Sequence, residues 1–383
     1  MSVWQRLVGQ QHVVEVLRDA IVTPEAMTHA WLFTGPPGSG RSVAATAFAA
    51  ALQCEAAEPG CGHCEQCRLT LAGSHPDVTR VTTEKVIIAI DEVRELITTA
   101  QRSPALGQWR IIIIEDADRM LERTANILLK SIEEPPPRTV WLLCAPARDD
   151  LITTIRSRCR HIGLRIPPVS DVADLLVRRD GIDPEVALAA ARAAQSHVGV
   201  AKRLATDEQA QARRKHLLRI PVQIRSVFDA VLIAEELVDI AEQDAVAAGG
   251  ERDAKEMETL LRNLGITDGT ARQPPAVSAQ VRALKEEQKR RATRLQRDVL
   301  DRMMVDLLAL YRDVVSVQLG ADVDLINTDL ASDIAELAAK TTIATSIEAM
   351  DALAVARRRL AGNVRPLLAL EGLLVALRPQ GGN

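Results

Sequence analysis

An apolar run, Ala30–Phe33, leads directly into Gly35-Pro36-Pro37-Gly38-Ser39-Gly40-Arg41-Ser42 and then into an alanine-rich stretch ending near Leu52. Few local patterns constrain a fold more tightly. Glycines at such spacing let backbone N–H groups turn inward around a phosphate, the following helix points its positive end at the anion, and a Ser or Thr is placed to hold Mg²⁺. The loop works only between a strand and a helix, so it predicts an α/β domain with Gly35, Gly38, Gly40, Arg41 and Ser42 as candidate nucleotide contacts. One component departs from the pattern, because Arg41 stands where a Lys normally reaches the outer phosphates. A guanidinium keeps the charge but is planar and bulkier, so phosphate binding can survive the change while efficient hydrolysis is not expected.

The flanking sequence agrees. Up to about residue 165, apolar runs alternate with helical periods, the signature of a parallel sheet with crossover helices. Five strands are legible: Ala30–Phe33, Val78–Val81, Arg110–Ile114, Thr139–Cys144 and Arg160–Leu164. Val13, Val16, Leu17, Ala20 and Ile21 mark one helix, Val93, Leu96, Ile97 and Ala100 another, and Ala125, Leu128, Leu129 and Ile132 a third, all at i, i+3, i+4 spacing. The run Ile111–Ile114 does not alternate, as expected for a strand buried on both faces. With only four Trp, three Phe and one Tyr in 383 residues, the core has to be aliphatic.

Pro167-Pro168 breaks the pattern. Three short helices are predicted beyond it, the first capped by Ser170, the second starting at Asp183 with Pro184 in its first turn, the third approached through Gly199. From about 208 onward the reading is helical, interrupted by a loop or flexible insertion around 265–280, where Gly265, Gly269, Pro274 and Pro275 fall. The final helix, Val364–Leu377, is apolar enough to predict docking in a helical core or on a partner. The expected organisation is therefore 1–166, 167–207 and 208–383.

Further chemistry lies at three places. The third strand ends in Glu115-Asp116-Ala117-Asp118, acids at the carboxyl end of a buried strand, where α/β ligand sites form. In a working ATPase the first acid is normally Asp, for the Mg²⁺ shell, and the second orients water; Glu115 and Asp116 occupy those places with altered reach. Four of the six cysteines crowd together as Cys54-x6-Cys61-x2-Cys64-x2-Cys67. Such spacing suits tetrahedral Zn²⁺; an iron–sulfur cluster also favours C-x2-C-x2-C, but its usual fourth Cys followed by Pro is missing. Lastly, Arg282, Lys285, Lys289, Arg290, Arg291, Arg294 and Arg297 make a locally basic helix, read as a solvated face or as an approach to DNA phosphates or an acidic partner. The net charge is −4, so any DNA contact has to be local. No basic-then-apolar leader and no apolar run of about 18 residues occurs, which predicts a soluble cytoplasmic protein without membrane contact.

The phosphate loop, the cysteine cluster, Ile90-Asp91-Glu92-Val93-Arg94-Glu95-Leu96, Glu115-Asp116-Ala117-Asp118-Arg119-Met120, Ala125-Asn126-Ile127-Leu128-Leu129-Lys130-Ser131-Ile132-Glu133-Glu134-Pro135-Pro136 and Ser157-Arg158-Cys159 together resemble the delta-prime subunits of the bacterial DNA polymerase III clamp loader, a family of AAA+ proteins. The resemblance covers about residues 6–165, and more loosely the lid and final helix. It implies an AAA+ fold with a five-stranded parallel sheet, a small helical lid and an all-α collar that oligomerises. It implies zinc on Cys54, Cys61, Cys64 and Cys67, and an arginine finger, Arg158, offered to ATP on a neighbouring subunit. It implies gamma/tau motor and delta subunits as partners, with the sliding clamp engaged indirectly and primed DNA held by the assembly. The chain's own site, with Arg41 and Glu115 out of pattern and Val200 in the lid segment where the family's motors place an arginine, a place Lys202 or Arg203 could fill instead, is expected to bind ATP weakly or not at all and to lack strong ATPase activity, so that any enzyme assignment rests on the polymerase holoenzyme. The alternative is an active AAA+ ATPase, the motor subunit of the same loader or of another.

Overall fold

The computed structural model describes residues 2–81, 87–264 and 275–378, which divide into two units, Met1–Thr206 and Asp207–Asn383. In the first, helix α1 (Gln11–Val22) precedes β1 (Ala30–Thr34), and α2 (Arg41–Leu52) and α3 (Glu65–Ala72) precede β2 (Val78–Val81). Helix α4 (Ile90–Ala100) then leads to β3 (Arg110–Ile114), α5 (Glu122–Glu133) to β4 (Thr139–Ala145) and the single turn α6 (Thr153–Arg156) to β5 (Arg160–Gly163). All five expected strands form, and they lie parallel in the order β2-β3-β4-β1-β5.

Strand geometry explains why the central runs carry no polar alternation. Successive side chains point to opposite faces, and here both faces are covered. Trp31, Phe33, Ile111, Ile113, Val140 and Leu142 pack beneath α1 and α2, while Ala30, Leu32, Ile112, Ile114, Trp141 and Leu143 pack beneath α4 and α5. The many alanines of α2 let that helix lie close to the sheet, with Phe48 set edge-on to Trp31 at 5.0 Å between ring centroids. Asp77, fully buried at the start of β2, accepts the backbone N–H groups of Ala105, Leu106 and Gly107 at 2.7–2.8 Å and pairs with Arg110 at 2.9 Å. That bracket fixes the α4–β3 loop against the sheet edge.

After β5 the first unit continues in α7 (Val169–Asp180), α8 (Pro184–Ala193) and α9 (Val198–Thr206). Asp183 caps α8 through its Oδ1, with Pro184 at the first helical position. Two expected boundaries are corrected. Helix α7 begins one residue before Ser170, because Pro168, with φ fixed by its ring, already supplies the entry geometry; the Ser170 hydroxyl bonds Asp171 instead. Gly199 lies inside the first turn of α9 rather than ahead of it.

The second unit contains helices and no strand among its described residues: α10 (Glu208–Gln223), α11 (Val227–Asn263), α12 (Pro275–Gln318), α13 (Ala331–Lys340), α14 (Ile343–Ala361) and α15 (Pro366–Leu377). Its core gathers Leu237, Ala241, Leu300, Met304, Leu307, Tyr311, Leu353 and Leu374 among others. The expected docking of the final helix is met within this core, where Ala369, Leu370, Leu373, Leu374 and Leu377 are buried. Of the expected loop around 265–280, residues 265–274 lie outside the described residues, and the part from Pro275 is corrected to helix; proline is well suited to a first helical turn, where no N–H partner is needed. A parallel sheet in this order, with a glycine-rich loop after β1, three short helices and an all-α second unit, is the AAA+ architecture. Among the described residues no helix is long and apolar enough to cross a membrane.

Candidate functional site

The glycine-rich loop emerges from the carboxyl end of β1, and its last glycine, Gly40, is the N-cap of α2. A cleft of about 670 Å³ opens there, lined by Leu7, Val8 and Gln10 on one side, Gly38–Val43 beneath and His197–Gly199 from the α8–α9 connection. Gln10 holds the rim together, donating its side-chain amide to Arg165 O at 2.6 Å and Ser39 O at 3.3 Å. Gly38 adopts φ +86° with His197 immediately above it, so that a β-carbon would come within 2.9 Å of the imidazole. Only glycine fits there, and the histidine closes over the loop's crest. Ser39 Oγ is buried and lacks a hydrogen-bond partner among the described residues.

The charged groups expected to serve this cleft are turned to other tasks. Arg41 donates from Nη1 to Gly35 O at 2.7 Å, folding back onto its own loop. Glu115 is held by Arg80 from the adjacent strand β2. Asp116 lies 3.9 Å from Arg119. Ser42 is half-buried at the start of α2, beside Arg41 on the cleft wall. The groups remain neighbours: burial, followed by the negative charges of Glu115 and Asp116 and opposed by Arg41 and Arg80, raises the Cys144 thiol on β4, and burial together with Asp116 raises the Asp118 carboxyl. Cys144 is fully buried within β4. Val200 spends its backbone N–H on His197 Nδ1 at 3.4 Å. The cradle is intact in outline, while its cation and its first acid are engaged elsewhere.

The cysteine group is complete. Cys54 follows the end of α2, Cys61 sits in the loop, and Cys64 and Cys67 cap and enter α3; their four Sγ atoms lie within 4.8 Å of one another, with Cys54 and Cys64 3.9 Å apart. Four sulfurs at ~2.3 Å from a tetrahedral zinc would be about 3.8 Å apart, so the cluster fits a metal of that size. The backbone N–H of Cys64 points at Cys61 Sγ (3.3 Å) and that of Cys67 at Cys64 Sγ (3.4 Å), donors that favour thiolates. Burial opposes ionisation of Cys61, but the backbone N–H groups of His63 and Cys64 and the neighbouring thiols outweigh it and bring its pKa down to about 6; Cys67 is pushed up by burial. His63 bonds Cys61 O and stays exposed outside the group. The chain's first residues brace this loop: Val3 N donates to Gly60 O and Trp4 Nε1 to Pro59 O, both at 3.0 Å. Gly60, at φ +90°, leaves no room for a β-carbon against Trp4.

Arg158 lies apart from both places, just after α6 at the domain edge. It pairs with Glu133 at the end of α5 and donates from Nη1 to Thr154 O at 2.7 Å. The two charged side chains are 37% and 41% exposed, so water reaches both. Sequence reading missed three partners: Arg80, Glu133 and His197. Glu133 was visible within Glu133-Glu134-Pro135-Pro136, but nothing in the spacing of Arg80 or His197 tells which loop they meet in space.

Comparison with known proteins gives a consistent result. Residues 9–168 match the family described as DNA polymerase III, delta subunit, and residues 292–378 match that described as DNA polymerase III, delta subunit, C terminal. The DNA polymerase III subunit delta' of Pseudomonas aeruginosa is 37% identical over 164 residues, 42% of this chain and 50% of that protein. That of Escherichia coli K12 is 33% identical over 189 residues, 48% and 57% respectively. The gamma/tau subunit of Mycobacterium tuberculosis H37Rv is 33% identical over 177 residues, 45% and 30%. These alignments span about half the length of the delta-prime relatives. Among solved structures, a gamma-subunit-related protein of Thermotoga maritima aligns over 95% of this chain and 98% of its own at 17% identity, with a TM-score of 0.43.

Proposed function

The chain belongs to the delta-prime family of DNA polymerase III, and on that premise we propose that it is a non-motor subunit of the clamp loader. It scaffolds the ring and lends Arg158 to ATP bound on a neighbouring gamma/tau subunit, while the assembly, with delta, places the sliding clamp on primed DNA. Residues 1–166 act as the AAA+ body, 167–207 as the lid and 208–383 as the collar through which the ring assembles.

One contrast carries the proposal: Arg158 keeps its motif and its exposure, whereas Arg41 and Glu115 are bound within their own domain. A cation brought in from a neighbour stabilises the charge that develops on the transferring phosphoryl group, and it makes hydrolysis depend on assembly. To reach that position Arg158 has to leave Glu133. An exposed pair of this kind holds it by only ~0–1 kcal/mol. In the chain's own cleft, nucleotide binds weakly or not at all, and hydrolysis is negligible. The deciding experiment is single-site turnover in a reconstituted complex whose other ATP sites are disabled, comparing wild type with Arg158→Ala; equal rates would remove the finger.

The metal of this reading is Zn²⁺, held by Cys54, Cys61, Cys64 and Cys67 in a structural role, since four thiolates leave no open position for chemistry. Metal analysis of the purified chain should return one equivalent of zinc. Cys64→Ala should lose it and loosen the loop between α2 and α3 while the sheet persists; iron in its place, or no metal, would defeat the assignment.

A further inference from the structure

Helices α11 and α12 run on past the core that holds the second unit together. Among the described residues whose side chains are placed, none from 250 to 290 is buried. At ~1.5 Å per residue this is a two-helix arm about 20 Å long. What joins its helices is polar: Arg291, buried, reaches across to Asp253 at 2.8 Å and Glu256 at 3.0 Å, and Gln288 donates to Asp253 O at 2.9 Å. Asp253 and Glu256 of α11 are thus engaged by Arg291, which points inward.

The outward cations have no such partners. At about 3.6 residues per turn, Arg282, Lys285, Lys289 and Arg290 fall on the side of α12 away from Arg291. All four are exposed, and none has an ion-pair partner among the described residues; Arg290 reaches only Glu286 O. Glu286 is the one acid on that face, which Ala279 and Thr293 continue in either direction without charge. A stable solvated helix gains by interspersing signs, and this chain does so on α11, where Arg252 meets Glu256 and Arg262 meets Glu258. On the outer face of α12 it does not, although the protein as a whole is acidic. The arm also lies outside both segments matched to known families.

We propose that the outer face of α12, through Arg282, Lys285, Lys289 and Arg290, is a nucleic-acid backbone surface that binds DNA phosphates without reading sequence. The four cations cover about 12 Å of helix at ~1.5 Å per residue, enough to follow successive phosphates along one strand. No aromatic side chain stands among them to stack on bases, so the contact is electrostatic and suits duplex DNA. The proposal concerns this chain alone and stands whether or not Arg158 is a finger.

The test is fluorescence anisotropy of the full chain with a labelled primer–template duplex across a salt series. Wild type should bind with a log–log salt slope of several contacts, each contributing about −0.9. The quadruple variant Arg282→Gln/Lys285→Gln/Lys289→Gln/Arg290→Gln should lose at least tenfold in affinity at low salt and flatten the slope. A charge-matched control, Arg94→Gln/Arg123→Gln/Arg178→Gln/Lys340→Gln, should retain both. If the quadruple variant loses helicity by circular dichroism, single substitutions serve, each expected to remove about one contact from the slope. Wild type that does not bind the duplex, a quadruple variant that keeps wild-type affinity and slope, or an acidic polypeptide that displaces DNA from the wild type while the duplex does not displace the polypeptide would each overturn the proposal.

Discussion

The nucleotide cleft and the Ser157-Arg158-Cys159 edge lie in the same unit and use arginine in opposite ways. In the cleft, Arg41 bends onto the carbonyl of Gly35, and Arg80 holds Glu115, whose own side chain is only 11% exposed. At the edge, Arg158 rests on Glu133 in contact with water. A charge tied to its own loop stabilises that loop. A charge held in an exposed pair can change partner at little cost. The presence of a basic residue in a motif therefore says less about its use than what it already touches.

The largest effect should come from removing the movable arginine. In a complex with one working ATP site, the one facing this chain, Arg158→Ala should lower turnover by ~10³–10⁵, while the fully active ring, with several sites, falls far less. Arg158→Lys should rescue poorly, because an ammonium does not reproduce the planar fork; near-wild-type rates with Lys would show that charge alone suffices. The cleft offers the converse test. Arg41→Lys restores the usual cation but leaves Glu115 with Arg80 and Cys144 buried, so the isolated chain should stay well below a typical turnover of ~1 s⁻¹. Turnover at that rate from this single change would erase the contrast between the two places. The smallest effect should follow Glu133→Gln, which frees Arg158 from an exposed pair worth ~0.2–1 kcal/mol. That corresponds to about fivefold at most in single-site turnover, in the direction of faster.

Much of this was legible because the relevant signals are local. Five strands, the cysteine spacing and the cap at Asp183 are each set by residues within a few positions of one another. The boundaries that differ are also local in cause: Pro168 and Pro275 start helices that Ser170 and the Gly/Pro cluster had suggested would start later. What the chain does not spell out is pairing across the sheet. Arg80 meets Glu115 because β2 lies beside β3, and His197 covers Gly38 because the chain after α8 returns over the loop. Candidate residues could be named from sequence, but whether they were free to act could not.

The strand order carries a consequence for how the molecule is made. Strand β1 is synthesised first, yet its two neighbours are β4 and β5, with Ala30 paired to Trp141 and Trp31 to Arg160. For more than a hundred residues of elongation a largely apolar strand therefore has no hydrogen-bonding partner on either side. At ~5–20 residues per second the ribosome takes several seconds to deliver them. Loop closure over that span makes such pairing slow. The vulnerable interval in this protein's life is the one before residue 163 emerges, and substitutions in β4 or β5 should reveal themselves first as lost yield of soluble chain rather than as a lowered melting temperature.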